Sequence, residues 1–443
     1  MENESIHKNI LQSMLESLAK IRIEKNGWKD AEEESAGTQV FKIAESLKPF
    51  YLYALNFPKN PLILRPDVLK SDTEFVFKSV KKHGFFPSPY CAIEGEDQYM
   101  DFAAFMLEFS ILYYRWASIK KTVGYSWNLN STAKEIARKA FDFLYKSDYY
   151  VEDEKYVRWG GATKPSRIGK AGIREYFTDT YFTAVIIIAL EKAIESSALQ
   201  LQEKEKDNVR NLIKKAGEWI ADRSDRNLLT GDEKKTNRKL IYTTWGLRAL
   251  VETYDLQEPK IRQLTKGFIP AYLDAVDLAS AEGSISITQE YLSVLSAEYD
   301  TSLDYEDRSS WAGILLTLIS LSDINDFQTL LETSGYLRIQ DKVLNGLLAL
   351  RDTLTDLWYK EFLILSIHAY LSEALLNLQQ GKQTLRYSFE VTSALVARTM
   401  KEAVEDPRIL KLMQQVFYEK LERNASQRVQ NDAMEAKLNK ITT

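Results

Sequence analysis

The chain has 443 residues, of which 45% are hydrophobic and 12% aromatic, with only 18 Gly, 10 Pro and a formal net charge of -5. Its length exceeds that of a usual single domain, the scarcity of Gly and Pro disfavours a many-turned β architecture, and the mild charge argues against a nucleic-acid-binding or disordered acidic chain. The lone cysteine, Cys91, excludes an intrachain disulfide and a multi-cysteine zinc site, which suits a reducing compartment.

The N-terminus, Met1–Lys8, is polar and acidic, which is the wrong chemistry for a signal peptide. The apolar runs Phe102–Leu107 and Phe182–Leu190 are followed by Glu108 and Glu191, well short of the roughly 20 residues that a bilayer requires. We therefore expect a cytoplasmic protein without membrane contact.

Two kinds of helical segment alternate along the chain. The first kind is amphipathic and predicts a helix that packs on one side only: Ser131–Leu144 carries an apolar stripe, and so does Asn208–Ile220. The second kind is apolar on nearly every face and must be covered all round, which predicts inner helices. These segments are Phe102–Tyr114, Thr180–Leu190, Tyr242–Val251, Trp311–Leu321 and Phe362–Leu376.

The inner segments recur at intervals of about sixty residues. A unit of outer helix, loop and inner helix, used six times, predicts an all-α fold in which an α/α toroid of about six helical hairpins spans residues 1–380. Residues 381–443 predict a C-terminal helical extension. An open solenoid of helix pairs is the alternative, but its repeats are shorter. The predicted starts are near Gly37, Asp101, Asp179, Tyr242, Ser309 and Glu361.

Two stretches, Ala133–Leu190 and Asn208–Glu252, share a further pattern. Each has an outer helix, a Gly-bearing loop and an inner helix that opens in Thr and continues Ala-Leu, as in Ile241–Leu250. This resembles the repeat of the terpenoid cyclase and protein prenyltransferase superfamily, and the resemblance implies an α/α toroid. The catalytic motifs of that superfamily are not matched, since Asp304–Asp307 departs from Asp-x-Asp-Asp and Cys91 lacks the Asp-x-Cys context.

Loops that precede inner helices meet at one end of a toroid, where the helix N-termini carry partial positive charge. If the protein is an enzyme, Asp179 and Asp307 are the first candidate carboxylates and Trp245 and Trp311 the candidate walls, for an isoprenoid-like or a glycan substrate. The alternative is that acids at helix starts cap N–H groups and that the aromatic residues fill the core. The acids at or near such positions are Asp97, Asp101, Glu175, Asp179, Asp304, Glu306, Asp307 and Glu361.

The loop 155–174 is basic and contains four glycines, a suitable setting for a phosphate or a nucleic-acid backbone. Its bases also have a simpler explanation, because the acids at 152–154 stand directly upstream and can pair with them. The candidate anion-binding or nucleic-acid-binding residues are Arg158, Lys164, Arg167, Lys170 and Arg174.

No motif for a metal, a cofactor or a nucleophile stands out, so we expect neither a metal nor a cofactor. This lack of a catalytic motif makes a non-catalytic scaffold or adaptor subunit the leading hypothesis. Such a subunit belongs to a cytoplasmic assembly, for example a bacterial defence complex, and docks other protein chains through the loop end of the toroid or the C-terminal helices. The toroid-cavity enzyme and the basic-loop interaction are the alternatives.

Overall fold

The computed structural model describes residues 15–16, 18–19, 22, 40–56, 62–85, 98–120, 129–145, 149–160, 167–168, 174–175, 179–231, 240–279, 310–322, 324–336, 338–340 and 342–343. All of them belong to one compact unit, Leu11–Arg386. The predicted inner helix near Glu361 and the predicted extension 381–443 lie outside the described residues, so the domain boundary after Gln380 stays a prediction.

The helices are α1 (Val40–Asn56), α2 (Pro66–His83), α3 (Met100–Lys120), α4 (Asn130–Tyr145), α5 (Thr180–Ile194), α6 (Glu203–Asp222), α7 (Leu240–Glu252), α8 (Pro259–Ala279), α9 (Ser310–Ser322) and α10 (Gln328–Thr333), with 3-10 turns at Tyr254–Leu256 and Asn325–Phe327. The strands form three antiparallel hairpins. They are β1 (Tyr150–Glu152) with β2 (Val157–Trp159), β3 (Arg167–Ile168) with β4 (Arg174–Glu175), and β5 (Ser224–Asp225) with β6 (Leu228–Leu229).

Helices α1, α3, α5, α7 and α9 form an inner layer in which each helix packs against the next. Helices α7 and α9 run in the same direction. Gly313, near the start of α9, lies against the Trp245 ring near the start of α7, and Ser320, near the end of α9, donates a hydrogen bond to Glu252 at the end of α7 over 2.7 Å. Each of these five helices begins within three residues of its predicted start.

The outer layer consists of α2, α4, α6 and α8, each packed on the inner helix that precedes it. Their apolar stripes face inward as predicted: in α6, Val209, Ile213 and Trp219 are buried, while Asn211 is exposed. A helix with one apolar face must bury that face, and the inner helices must be covered on every side. The outer helices therefore bury their apolar faces by covering the inner ones. The fold is an all-α toroid, as the sequence predicts.

Among the described residues, no single helix is long and apolar enough to cross a membrane. One pair, Gly313–Ser322 and Asn325–Thr333, meets the criteria of length and composition only as two segments bent by 95°.

Short β-hairpins connect outer to inner helices where the sequence analysis predicted only long loops. Two of the three hairpins are held by a threonine near the start of the inner helix, which bonds to both backbone groups of one hairpin residue. The Thr183 hydroxyl accepts from the N–H of Trp159 at 3.1 Å and donates to its carbonyl at 3.4 Å. The Thr243 hydroxyl does the same to Leu229 at 2.9 and 3.0 Å. This contact gives a physical reason for the threonine that opens both inner helices.

We expect Thr183→Val to lower the free energy of unfolding by about 1–3 kcal/mol, because it leaves the buried N–H of Trp159 without an acceptor. The matched control is Thr265→Val. That buried hydroxyl donates only to the Ile261 carbonyl of its own helix, at 2.8 Å, so its removal leaves no N–H group without an acceptor. The measurement is urea unfolding of both variants. Equal losses of unfolding free energy would contradict the role of Thr183 in holding the hairpin.

Candidate functional site

A cavity opens near the N-terminal ends of the inner helices. It has a volume of about 50 Å³, and about 530 Å³ when the open space up to the solvent at its mouth is included. Four inner helices supply its walls, so it lies on the inner side of the toroid. The lining residues are Phe41 and Lys48 of α1, Asp101, Ala104, Phe105 and Glu108 of α3, Tyr181, Val185 and Ile188 of α5, and Trp245 and Arg248 of α7.

Two carboxyl groups stand at the starts of adjacent inner helices. Asp179 is the N-cap of α5, and its Oδ1 accepts a hydrogen bond from the Phe182 N–H at 2.9 Å. Asp101, in the first turn of α3, accepts from the Phe102 N–H at 2.8 Å and lines the cavity. Within the described part of the chain, neither carboxyl is hydrogen-bonded or ion-paired to another side chain. Capping is therefore only part of what these acids can do.

The surroundings of both carboxyl groups favour the protonated form. Burial raises the pKa of Asp101 to about 6. Burial likewise raises the pKa of Asp179 to about 7, and the charge of Asp101 adds to the effect, although backbone N–H groups act in the opposite direction. Burial in low dielectric disfavours a charged carboxylate, and two neighbouring carboxylates disfavour each other. Both carboxyl groups therefore change protonation state closer to neutral pH than an exposed aspartate does.

Aromatic rings form one side of the cavity. The Tyr181 ring packs edge-on against Trp245, with centroids 5.6 Å apart and an interplanar angle of 87°. Arg248, one turn further along α7 than Trp245, places its guanidinium over the Trp245 ring, 5.2 Å from the centroid. An aromatic face beside charged groups suits a ligand with both apolar and polar faces.

Deeper along the helices, charged side chains link the inner layer. Glu108 of α3 contacts Lys192 of α5 at 2.6 Å and Lys48 of α1 at 3.5 Å. Burial alone would raise the pKa of Glu108, but the two ammonium groups hold it at about 2. On α7, which packs against α5, the side chains of Arg248 and Glu252 are 3.5 Å apart. We call Lys48, Glu108, Lys192, Arg248 and Glu252 the charged layer.

Among the described residues, no group of three or more His, Cys, Asp or Glu is arranged to hold a metal ion.

The predicted site residues have different positions in the structure. Trp245 lines the cavity, whereas Asp179 is not among its lining residues and stands at the start of α5, the inner helix that packs against the one carrying Asp101. Asp307 lies outside the described residues, and of Trp311 only the backbone, in the first turn of α9, is described. Their predicted roles at the site stay predictions.

The basic loop is described only in part. Arg158 belongs to β2 and pairs with Asp153 at 3.0 Å, in line with the simpler explanation given above for that residue. Arg167 and Arg174 lie on the paired strands β3 and β4, where only the backbone is described. Lys164 and Lys170 lie outside the described residues, and anion binding by the loop stays a prediction.

The sequence analysis missed Glu108, Arg248 and Tyr181 as site residues. A signal for the first two was present, because both are charged residues inside helices that are otherwise apolar on every face. A charge in such a helix is almost never left unpaired. No comparable signal distinguishes Tyr181 from the other aromatic residues of the chain.

No protein-family model and no curated protein sequence matches this chain. Solved structures do match. A sugar epimerase from a ruminal bacterium aligns with a TM-score of 0.50 and 12% identity, covering 78% of this chain and 86% of that chain. A family 76 glycoside hydrolase from a bovine Bacteroides thetaiotaomicron strain aligns with a TM-score of 0.50 and 13% identity, covering 83% and 77%.

At these identities the similarity establishes the fold, and it agrees with the α/α-toroid resemblance seen in the sequence. It contradicts the leading hypothesis of a non-catalytic scaffold, because both structures are named as enzymes. That hypothesis depended on the absence of a contiguous catalytic motif. In a toroid, side chains of distant segments meet in the centre, so a site needs no contiguous motif.

Proposed function

We propose that the protein is an enzyme that acts on a sugar or a glycoside in the central cavity, with Asp101 and Asp179 as its acid–base pair. The observation that carries the proposal is this pair of carboxyl groups, which have raised pKa values and interact with each other at the start of adjacent inner helices. The names of the two solved structures, a sugar epimerase and a glycoside hydrolase, support the substrate class.

Both kinds of reaction require a proton to be given and a proton to be taken. In glycoside hydrolysis, a carboxylic acid protonates the leaving oxygen while a carboxylate assists the attack on the anomeric carbon. In epimerisation next to a carbonyl, a base removes the proton from the carbon and an acid returns one to the opposite face. A pair with pKa values of about 6 and 7 provides one acid and one base near neutral pH.

The lining favours a sugar over the isoprenoid-like alternative. Lys48, Asp101, Glu108 and Arg248 all face the cavity, beside the Trp245 ring. A hydrocarbon chain offers these groups no hydrogen bond and would leave them desolvated. A sugar presents hydroxyl groups around its edge and C–H groups on its faces, which match charged groups and an aromatic ring respectively.

The test is turnover of a defined panel by the full-length chain. The panel consists of 4-nitrophenyl glycosides, followed by absorbance, and reducing mono- and disaccharides, followed by NMR in D₂O for epimerisation and for exchange of the proton next to the carbonyl. We expect turnover of at least one compound, lost in the double variant Asp101→Asn/Asp179→Asn. Turnover unchanged in the double variant, or none with any compound, would reject the proposal.

The pH profile provides a prediction of its own. Because one carboxyl must be ionised and the other protonated, we expect kcat/KM to be maximal between about pH 6 and 7, with a fall on either side. Each single Asp→Asn variant should lose one of the two limbs in its residual activity. A profile that is flat from pH 5 to 8 would contradict the acid–base pair.

A further inference from the structure

Tyr181 is the second residue of α5, stands two residues after Asp179, and lines the cavity together with Asp101 and Trp245. Its ring is fixed on two sides, by Trp245 at 5.6 Å and by Phe182 at 5.2 Å between centroids. Its hydroxyl, however, has no hydrogen-bond partner among the described residues. By contrast, the Tyr272 hydroxyl bonds to Thr244 at 3.3 Å, and the Tyr254 hydroxyl bonds to Asp326 at 3.2 Å.

The Tyr113 hydroxyl is also buried without a hydrogen-bond partner, but Tyr113 does not line the cavity, whereas Tyr181 does, so a bound ligand can pair with the Tyr181 hydroxyl. We propose that the Tyr181 hydroxyl is a specificity-determining donor, which gives a hydrogen bond to one hydroxyl of the bound sugar next to the reacting carbon. This inference rests on the proposed function and adds the feature by which the substrate is recognised.

The surroundings determine that this hydroxyl donates and does not act as a base. Burial raises the pKa of Tyr181 well above its usual value, and the negative charges of Asp101, Asp179 and Glu45 raise it further. The phenol therefore stays protonated at every working pH. Its O–H needs an acceptor, and a sugar hydroxyl provides one without a charge.

The substrate should carry a hydroxyl group that Tyr181 contacts. A site built to hydrogen-bond a substrate hydroxyl discriminates against the analogue that lacks it. We therefore expect one deoxy position of the active sugar to lose about 10- to 100-fold in kcat/KM with the parent enzyme, the range expected for one neutral hydrogen bond. Deoxy analogues at positions that Tyr181 does not contact should lose a different amount, because other groups bind those hydroxyls.

The experiment combines the variant Tyr181→Phe, which removes only the hydroxyl, with the full sugar and each of its monodeoxy analogues. We expect Tyr181→Phe to lower kcat/KM for the full sugar about 10- to 100-fold and to leave it unchanged for the one analogue that lacks the contacted hydroxyl. If Tyr181 had only a structural role, the variant would lower kcat/KM by the same factor for the full sugar and for the analogue. Tyr254→Phe is the matched control, since its hydroxyl bonds to Asp326 and the residue does not line the cavity. Thermal melting shows whether each variant is folded.

The outcomes separate this inference from the proposed function. Turnover with equal losses for the full sugar and every analogue overturns the role of Tyr181 alone. If no compound is turned over, calorimetric titration with the same sugars replaces the rate measurement. Binding that Tyr181→Phe weakens for the full sugar but not for one analogue then supports the donor while the enzyme proposal fails. A parent protein that neither turns over nor binds any sugar of the panel overturns both.

Discussion

Replacing Asp101 by asparagine is expected to reduce turnover about 100- to 10,000-fold and at the same time to make the fold more stable at neutral pH. The loss of turnover follows because an amide neither gives nor takes a proton, and general acid–base catalysis contributes typically 10²- to 10⁴-fold. The hydrogen bond from the Phe102 N–H is kept, because the amide oxygen of asparagine accepts it as the carboxylate does.

The gain in stability follows from the sign of the pKa shift. The pKa of Asp101 rises from an ordinary value of 3.8 to about 6 in the folded protein, so folding penalises its ionisation. The penalty is absent below pH 3.8, grows between pH 3.8 and 6, and is full above pH 6. At pH 7 it amounts to at most roughly 3 kcal/mol, which the neutral amide avoids. Thermal and urea unfolding at pH 3.5 and 7 should show the gain only at the higher pH.

Asp179→Asn should behave in the same way, and it tests the alternative that this acid is only a helix cap. Asparagine caps a helix N-terminus about as well as aspartate. If capping were the whole role of Asp179, the variant would keep full activity. The control is Asp67→Asn, which changes an exposed first-turn acid of the outer helix α2. Activity of Asp179→Asn equal to that of this control would contradict the catalytic assignment.

The sequence predicted the toroid because the cause of the fold is local. A segment such as Ile186–Leu190, apolar on every face, has to be covered all round wherever it occurs. Positions at helix starts were predictable for the same reason, which is why Asp101 and Asp179 were both among the acids expected at the loop end. The β-hairpins were not predictable. A strand of two or three residues, such as Leu228–Leu229, is too short to show an alternating pattern.

The pairing inside the cavity depends on distances between segments, which no local pattern contains. Glu108 and Lys192 are 84 residues apart and nevertheless in contact, and nothing near either residue specifies the other. For the same reason the sequence could not show which acid faces Asp179, and Asp307, which lies outside the described residues, stays a prediction. Helix starts could be identified, but which starts face each other across the cavity depends on the closure of the toroid.

Replacing Glu108 by glutamine is expected to destabilise the protein by roughly 3 kcal/mol at pH 7. The carboxylate holds Lys192 at 2.6 Å and Lys48 at 3.5 Å, and so it links three inner helices. An amide of the same shape removes the negative charge that these two partly buried ammonium groups share. Removing one partner from a buried ionic cluster is strongly unfavourable, because the remaining charges stay desolvated.

The pH dependence separates this electrostatic effect from a packing defect. The pKa of Glu108 falls from 4.5 to about 2 on folding, so its contribution is present above pH 4.5 and is lost as the pH falls toward 2. The difference in unfolding free energy between parent and variant should therefore shrink steadily between pH 4.5 and the lowest pH at which the fold survives. Glu135→Gln is the control, because its pair with Lys81 is exposed on both sides and should contribute less than about 1 kcal/mol. A Glu108→Gln loss that stays constant with pH would show that shape, and not charge, makes Glu108 important.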